Sequence, residues 1–246
     1  MTSRSIKSAS ILAVLSLFFM SWGTGGNVLA ASDQTPPAAD VLASASKSLA
    51  STKTAHFVLK IDGDTYLDAA KSLKLISAEG DILRPDRVSV QFQVQVLGAG
   101  NVSIKMITIG DQSWTTDLIT GKWGAAPSEF GYNPAILFDA KSGLGPIMDK
   151  LTDAKVEGTE KVDGNEAYKI TGTSTAGEIK DVTSGTMTGT SFPVEIWIDT
   201  KTSKPLKITL AESSDSGKEH PATWTMTLSG YDHDVSIESP VQATPD

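Results

Sequence analysis

The 246-residue chain contains no cysteine. That excludes a disulfide, a thiolate metal site and a cysteine nucleophile. Histidine is also scarce, with three residues, His56, His220 and His233. No Gly-x-Ser-x-Gly elbow, His-Glu-x-x-His pair or Walker-type glycine loop occurs. A serine hydrolase using one of the histidines stays open, because triads are assembled in space rather than in sequence. No catalytic residue is assigned, however, and the chain is read as a non-enzyme. Positive charge is short too: 21 Lys and Arg stand against 29 Asp and Glu, a net charge of −8. Arg4 and Lys7 carry the only charges in residues 1–30, so losing that segment moves the net charge to −10. Such a chain repels nucleic-acid phosphates, and no nucleic-acid partner is expected.

Long apolar runs are missing as well. The run Ile11–Met20 falls short of the ~20 residues that a membrane span needs. It follows the basic Arg4 and Lys7 and precedes Val28-Leu29-Ala30-Ala31, with small residues at the −3 and −1 places of a cleavage site. This is the layout of a secretory signal over residues 1–30, and it predicts export. An uncleaved anchor is the alternative. Residues 31–37 read as a linker and 38–246 as one domain. Leu29-Ala30-Ala31 has the form of a lipoprotein processing box, but Ser32 stands where the acylated cysteine belongs. A covalent lipid anchor there is not expected.

What the chain has in quantity is alternation. After a helix predicted from about Ala38 to Ser51, large apolar residues recur every second position. They do so at Phe57, Leu59 and Ile61, and at Val88, Val90, Phe92, Val94 and Val96. Further runs contain Val102, Ile104 and Met106; Val194, Ile196 and Ile198; Leu206, Ile208 and Leu210; and Trp224, Met226 and Leu228. Gly98-Ala99-Gly100-Asn101, Gly110-Asp111, Thr120-Gly121 and Asp163-Gly164 supply tight turns, which make sequential strands antiparallel neighbours. About ten such strands form a sheet wide enough to curl. Helices predicted at Pro134–Ala140, Leu144–Leu151 and near Gly177–Val182 would join the first helix in covering one face. The expected fold is therefore α+β, a large curved antiparallel sheet with two to four helices on its concave face.

Two polar constellations carry little. Asp232-His233-Asp234, read as a strand, splits its carboxylates and imidazole between opposite faces. Asp62-Gly63-Asp64 starts like a calcium loop, but Leu67 occupies the glycine position, so it reads as a turn. No metal and no cofactor is expected. Asn101-Val102-Ser103 is a formal sequon inside a hairpin.

The remaining candidate is apolar surface between sheet and helices. Its expected lining is Val90, Phe92, Val94, Met106, Phe138, Leu144, Ile147, Met148, Leu151, Ile196, Ile198, Ile208, Met226 and Leu228. Alternation reads the same for a ligand cavity and for a closed core, so both stay open here. Few helices over a wide sheet, and adaptable Met106, Met148 and Met226, favour a cavity.

Four stretches add a resemblance. They are Ile107-Thr108-Ile109-Gly110-Asp111-Gln112-Ser113-Trp114 with Thr120-Gly121-Lys122-Trp123, Gly158–Tyr168, Val194-Glu195-Ile196-Trp197-Ile198-Asp199, and Val235–Pro240. In order and spacing, over roughly residues 38–240, the chain resembles the LppX/LprAFG family of envelope lipoproteins, whose architecture is similar to that of the LolA/LolB carriers. The resemblance implies a half-barrel with an apolar cavity for acyl chains, and lipid transport or presentation in the cell envelope. Implied partners are a lipid or lipidated small molecule, a membrane transporter and, transiently, a membrane surface. The rival is an envelope scaffold or interaction module with a closed core.

Overall fold

The computed structural model describes residues 35–68, 70–127 and 134–240. The segment read as a signal, most of the linker, Ser32 and the last six residues lie outside them. Among the described residues there are three α-helices: α1 (Ala38–Ser51), α2 (Leu144–Asp149) and α3 (Ala176–Ile179). The strands are β1 (Thr54–Asp62), β2 (Leu73–Leu83), β3 (Arg87–Val96), β4 (Gly100–Ile109), β5 (Gln112–Thr116), β6 (Trp123–Ala125), β7 (Thr152–Val162), β8 (Asn165–Thr175), β9 (Ser191–Asp199), β10 (Pro205–Ala211) and β11 (Thr223–Ser229).

Among the described residues, the 11 strands make one antiparallel sheet in the order β6-β5-β4-β3-β2-β1-β11-β10-β9-β8-β7. Two meanders, β1–β6 and β7–β11, join where β1 pairs with β11. β6 and β7 are therefore the two edges of the sheet. The connection between them has to cross a whole face. It carries a short 3-10 helix, Pro134–Phe138, and α2 across the same face that α1 covers. Topology thus supplies the lid of the α+β layering.

The register decides which residues meet that lid. Phe57 pairs with Leu228 and Gly80, Leu59 with Met226 and Ala78, and Ile208 with Met226 and Ile196. Val90 lies between Gly80 and Met106. These residues and their period-two neighbours form the helix-covered inner face. His56, Lys60, Glu79, Gln91, Lys105, Thr209 and Trp197 lie on the outer face, one residue out of phase.

Local chemistry explains the helices and turns. α1 starts after Pro37, carries Asp40 in its first turn and buries Val41, Leu42, Ala45 and Leu49 along one stripe. α3 is shorter than expected and is fixed by a capping box, in which Glu178 accepts the Thr175 N–H at 2.9 Å. The expected helices at 134–140 and 144–151 shrink to the 3-10 turn Pro134–Phe138 and to α2, because Gly143 breaks between them and Leu151 leads into β7. Three turns share an Asp-x-x-Thr/Ser pattern. Asp117, Asp139 and Asp199 each accept two backbone N–H groups and the hydroxyl of Thr120, Ser142 or Thr202.

Asp62-Gly63-Asp64 is a turn, as expected. Gly63 has a φ of +93°, and a Cβ there would lie 2.4 Å from the Pro221 carbonyl oxygen. The segment 232–234 is not a strand: β11 ends at Ser229 and the chain continues without regular structure. β7 is an interrupted edge, with register shifts at 152–155 and 156–158.

Candidate functional site

The inner face and its helices bury one continuous apolar cluster. From the sheet come Phe57, Leu59, Ile82, Val88, Val90, Met106, Ile170, Phe192, Ile196, Ile198, Met226 and Leu228. From above come Leu42 and Leu49 of α1, Leu137 and Phe138 of the 3-10 turn, Leu144, Ile147 and Met148 of α2, and Ile179 of α3. Of the residues expected to line a cavity, Val90, Met106, Phe138, Leu144, Ile147, Met148, Ile196, Ile198, Ile208, Met226 and Leu228 are buried in this cluster. Phe92 and Leu151 pack against it partly exposed. Val94 departs from the group. It faces the same way, but it sits further along β3 in a smaller cluster with Leu75 and Ile104, bridged to the main one by Phe92.

The sheet face contributes residues that were absent from the expected lining. Phe57 and Leu59 had the alternation but not the assignment. Ile170 and Phe192 are fully buried. Ile170 lies on β8, which reads weakly because Gly172 and Ser174 share its inner face, and Phe192 lies one step before the Val194–Ile198 run of β9. Gly172 keeps that face low where the chain enters β7: a Cβ there would lie 3.4 Å from the Leu151 Cβ.

Polar groups at the margins close the interior. Trp224 donates its indole N–H to the Thr65 hydroxyl at 3.1 Å. The fully buried Glu212 carboxylate accepts from the Thr188 and Ala222 N–H groups, each at 2.7 Å, and meets the Lys218 ammonium at 2.7 Å. This pairs a charge that would otherwise be costly to bury. Arg84 lies over the Phe138 ring, 5.4 Å from its centroid, and donates to the Leu49 carbonyl at 3.2 Å. Its Nε is buried and has no partner. Burial pulls the Arg84 guanidinium below its usual pKa, and Asp139 partly offsets that. The Tyr231 phenol donates to the Pro205 carbonyl, and burial pushes its pKa well above the usual range.

The outer face is polar. His56 points Nδ1 at Asp81 (2.9 Å) and Nε2 at Glu79 (3.5 Å), while His233 directs Nε2 at Asp81 (3.4 Å) and Nδ1 at the Gly230 carbonyl. Each ring makes one hydrogen bond, and its second nitrogen lies 3.4–3.5 Å from a carboxylate. Among the described residues no group of acids and histidines has the arrangement of a metal site, and no helix is long and apolar enough to cross a membrane. A cleft of about 530 Å³ lies at one end of the strands, lined by Ser51, Lys53, Thr54, Leu83, Asp232, His233, Asp234 and Val235. Its lining is mixed in polarity and separate from the apolar cluster.

A model of the LppX/LprAFG lipoproteins matches residues 37–237, which is most of the chain. The chain belongs to the LppX/LprAFG lipoprotein family. Within that family it is 26% identical over 215 residues to the lipoarabinomannan carrier protein LprG of Mycobacteroides abscessus, covering 84% of this chain and 86% of that one. The crystal structure of LprF from Mycobacterium bovis superimposes with a TM-score of 0.67 at 19% identity, over 85% of this chain and 99% of LprF. Lipoprotein LppX of Mycobacterium tuberculosis gives a TM-score of 0.58 at 17% identity, over 83% and 100%. The curved LppX/LprAFG sheet with helices on one face is therefore the fold of this chain.

Proposed function

We propose that the protein is exported and binds the acyl chains of a lipid between its inner sheet face and its helices, for transport or presentation in the cell envelope. The observation that carries this reading is the continuous apolar face under a thin cover of helices, in a family that includes a lipoarabinomannan carrier. The residues proposed to meet the lipid are those of the main cluster, with Phe92 and Leu151 at its margin. The N-terminal segment is proposed to direct export, and Ser32 to leave the protein without the lipid anchor of its family.

The physics suits such a role. Each buried methylene is worth ~0.8 kcal/mol, so a dozen would offset on the order of 10 kcal/mol of the cost of lifting a lipid from a bilayer. Apolar contact discriminates weakly between chains of similar length, so a range of diacyl lipids is the expected cargo. Binding requires the helices to part from the sheet. The described cover includes α1, α3 and the two short helical pieces of the edge-to-edge connection.

Nearly complete burial of Val88, Ile170, Phe192 and Ile198 favours a second reading, a scaffold module whose core is simply closed. Solvent extraction of the purified protein followed by mass spectrometry separates the two. The carrier should yield diacyl lipid in near-stoichiometric amount and reload from vesicles after delipidation. Absence of both would leave the scaffold.

A further inference from the structure

Among the described residues, the exposed large apolar side chains are Leu97, Leu118 and Ile119, at 81%, 41% and 94% exposure. Leu97 is in the turn between β3 and β4, and Leu118 and Ile119 are in the turn between β5 and β6. These four strands are successive antiparallel neighbours, so both turns emerge at the same end of the sheet. A lone exposed leucine is ordinary, but a gathering of all such residues at one rim calls for a cause.

The side chains are held out on ordered turns. Asp117 accepts from the Ile119 N–H (3.1 Å), the Thr120 N–H (2.7 Å) and the Thr120 hydroxyl (2.8 Å). The N–H of Leu97 donates to the Ser72 carbonyl at 2.9 Å, tying this tip to the β1–β2 connection. Behind the tips the apolar surface continues inward. Val96 and Val102 pack on the Leu75, Val94 and Ile104 cluster, and Phe92 links that cluster to the main interior.

Lys71, Lys105 and Lys122 are exposed beside the tips, alongside the carboxylates of Asp62, Asp68 and Asp117, of which Asp68 and Asp117 are held by backbone N–H groups. Trp123 stands partly exposed at the start of β6. Apolar tips flanked by lysines and a tryptophan match the chemistry of a bilayer's headgroup layer, where lysines meet phosphates and indoles sit at the boundary.

We propose that this rim docks on a lipid bilayer, with Leu97, Leu118 and Ile119 entering the acyl boundary. The inference rests on the lipid-carrier reading for its purpose: the Val96–Phe92 path would connect the docked rim to the interior. The opposite rim, with its polar cleft and Asp232–Val235 segment, would face away.

Because the chain has no cysteine, Ile119→Cys gives one attachment point for an environment-sensitive fluorophore, and Lys201→Cys in the β9–β10 turn gives one on the opposite rim. With mixed phosphatidylcholine–phosphatidylglycerol vesicles, the label at 119 should shift to the blue and lose access to an aqueous quencher, while the label at 201 should not. Leu97→Ser with Ile119→Ser should slow transfer of a fluorescent diacyl lipid between vesicles about tenfold, with unchanged melting and unchanged co-purified lipid. A water-exposed label at 119, equal shifts at both rims, or transfer at the parental rate would overturn the docking rim. Absence of bound lipid would instead remove the carrier reading, and the label at 119 would still report docking.

Discussion

On β9, Phe192, Val194, Ile196 and Ile198 face the helices, while Glu195, Trp197 and Asp199 face outward. Both rows contain buried residues, but the burial has different origins. Phe192 is fully enclosed by apolar neighbours from sheet and helices. Trp197, 3% exposed, is covered on the open face by its cross-strand lysines, with the Lys207 ammonium 3.8 Å and the Lys169 ammonium 5.1 Å from the ring centroid. Its indole N–H donates to Glu160 at 2.7 Å. The inner face is stabilised by excluding water, the outer by long side chains whose charged ends stay wet.

The largest test of this contrast is Phe192→Ala. It should cost about 4 kcal/mol, a fall in melting temperature of roughly 10 °C. Trp197→Ala should cost about 2 kcal/mol, since flexible lysine stems can close over the gap. Equal losses would erase the distinction between the faces. Val90→Trp overfills the main cluster and should lower stability by about 1–2 kcal/mol while reducing co-purified lipid several-fold. Val94→Trp, in the smaller cluster, should reduce the lipid less, and the reverse order would move the lipid site toward the β3–β4 tip.

Acid provides a smaller test. Burial alone would raise the Asp199 pKa, but the Thr202 N–H and hydroxyl and the Lys201 N–H hold it below 3.8. A depressed folded-state pKa means that the stabilisation is complete above the unfolded value and is lost as pH falls through the folded one. Asp199→Asn should therefore cost about 1 kcal/mol at neutral pH and flatten the acid limb of a melting-temperature profile below pH ~4. Thr209→Ala, on the outer face, should change stability by less than about 0.5 kcal/mol.

How far the sequence could be read follows from the same contrast. β3 was legible because Val88 to Val96 place a large apolar residue at every second position. β2 was not, because its inner face uses Ala78 and Gly80, and a bulge after Leu75 shifts the phase. β7 offers little apolar signal, having neighbours on one side only. Periodicity gave Val94 the correct face but could not give its distance along the strand, which puts it in the smaller cluster. The Asp-x-x-Thr/Ser turns were readable at Asp117, Asp139 and Asp199, and would have marked two hairpin ends and the entry to α2. The docking rim leaves only a faint trace, since Leu97 and Leu118-Ile119 look like ordinary strand ends until pairing brings their turns together.

The interrupted edge strand has a consequence for life at high concentration. An open sheet invites a second copy to add a strand, the first step of fibre growth. β7 discourages it with two register shifts and with Lys155, Glu157, Glu160 and Lys161 along its length, and the opposite edge, β6, is only three residues long. A protein with so broad a sheet can therefore be crowded into a narrow compartment without polymerising edge to edge.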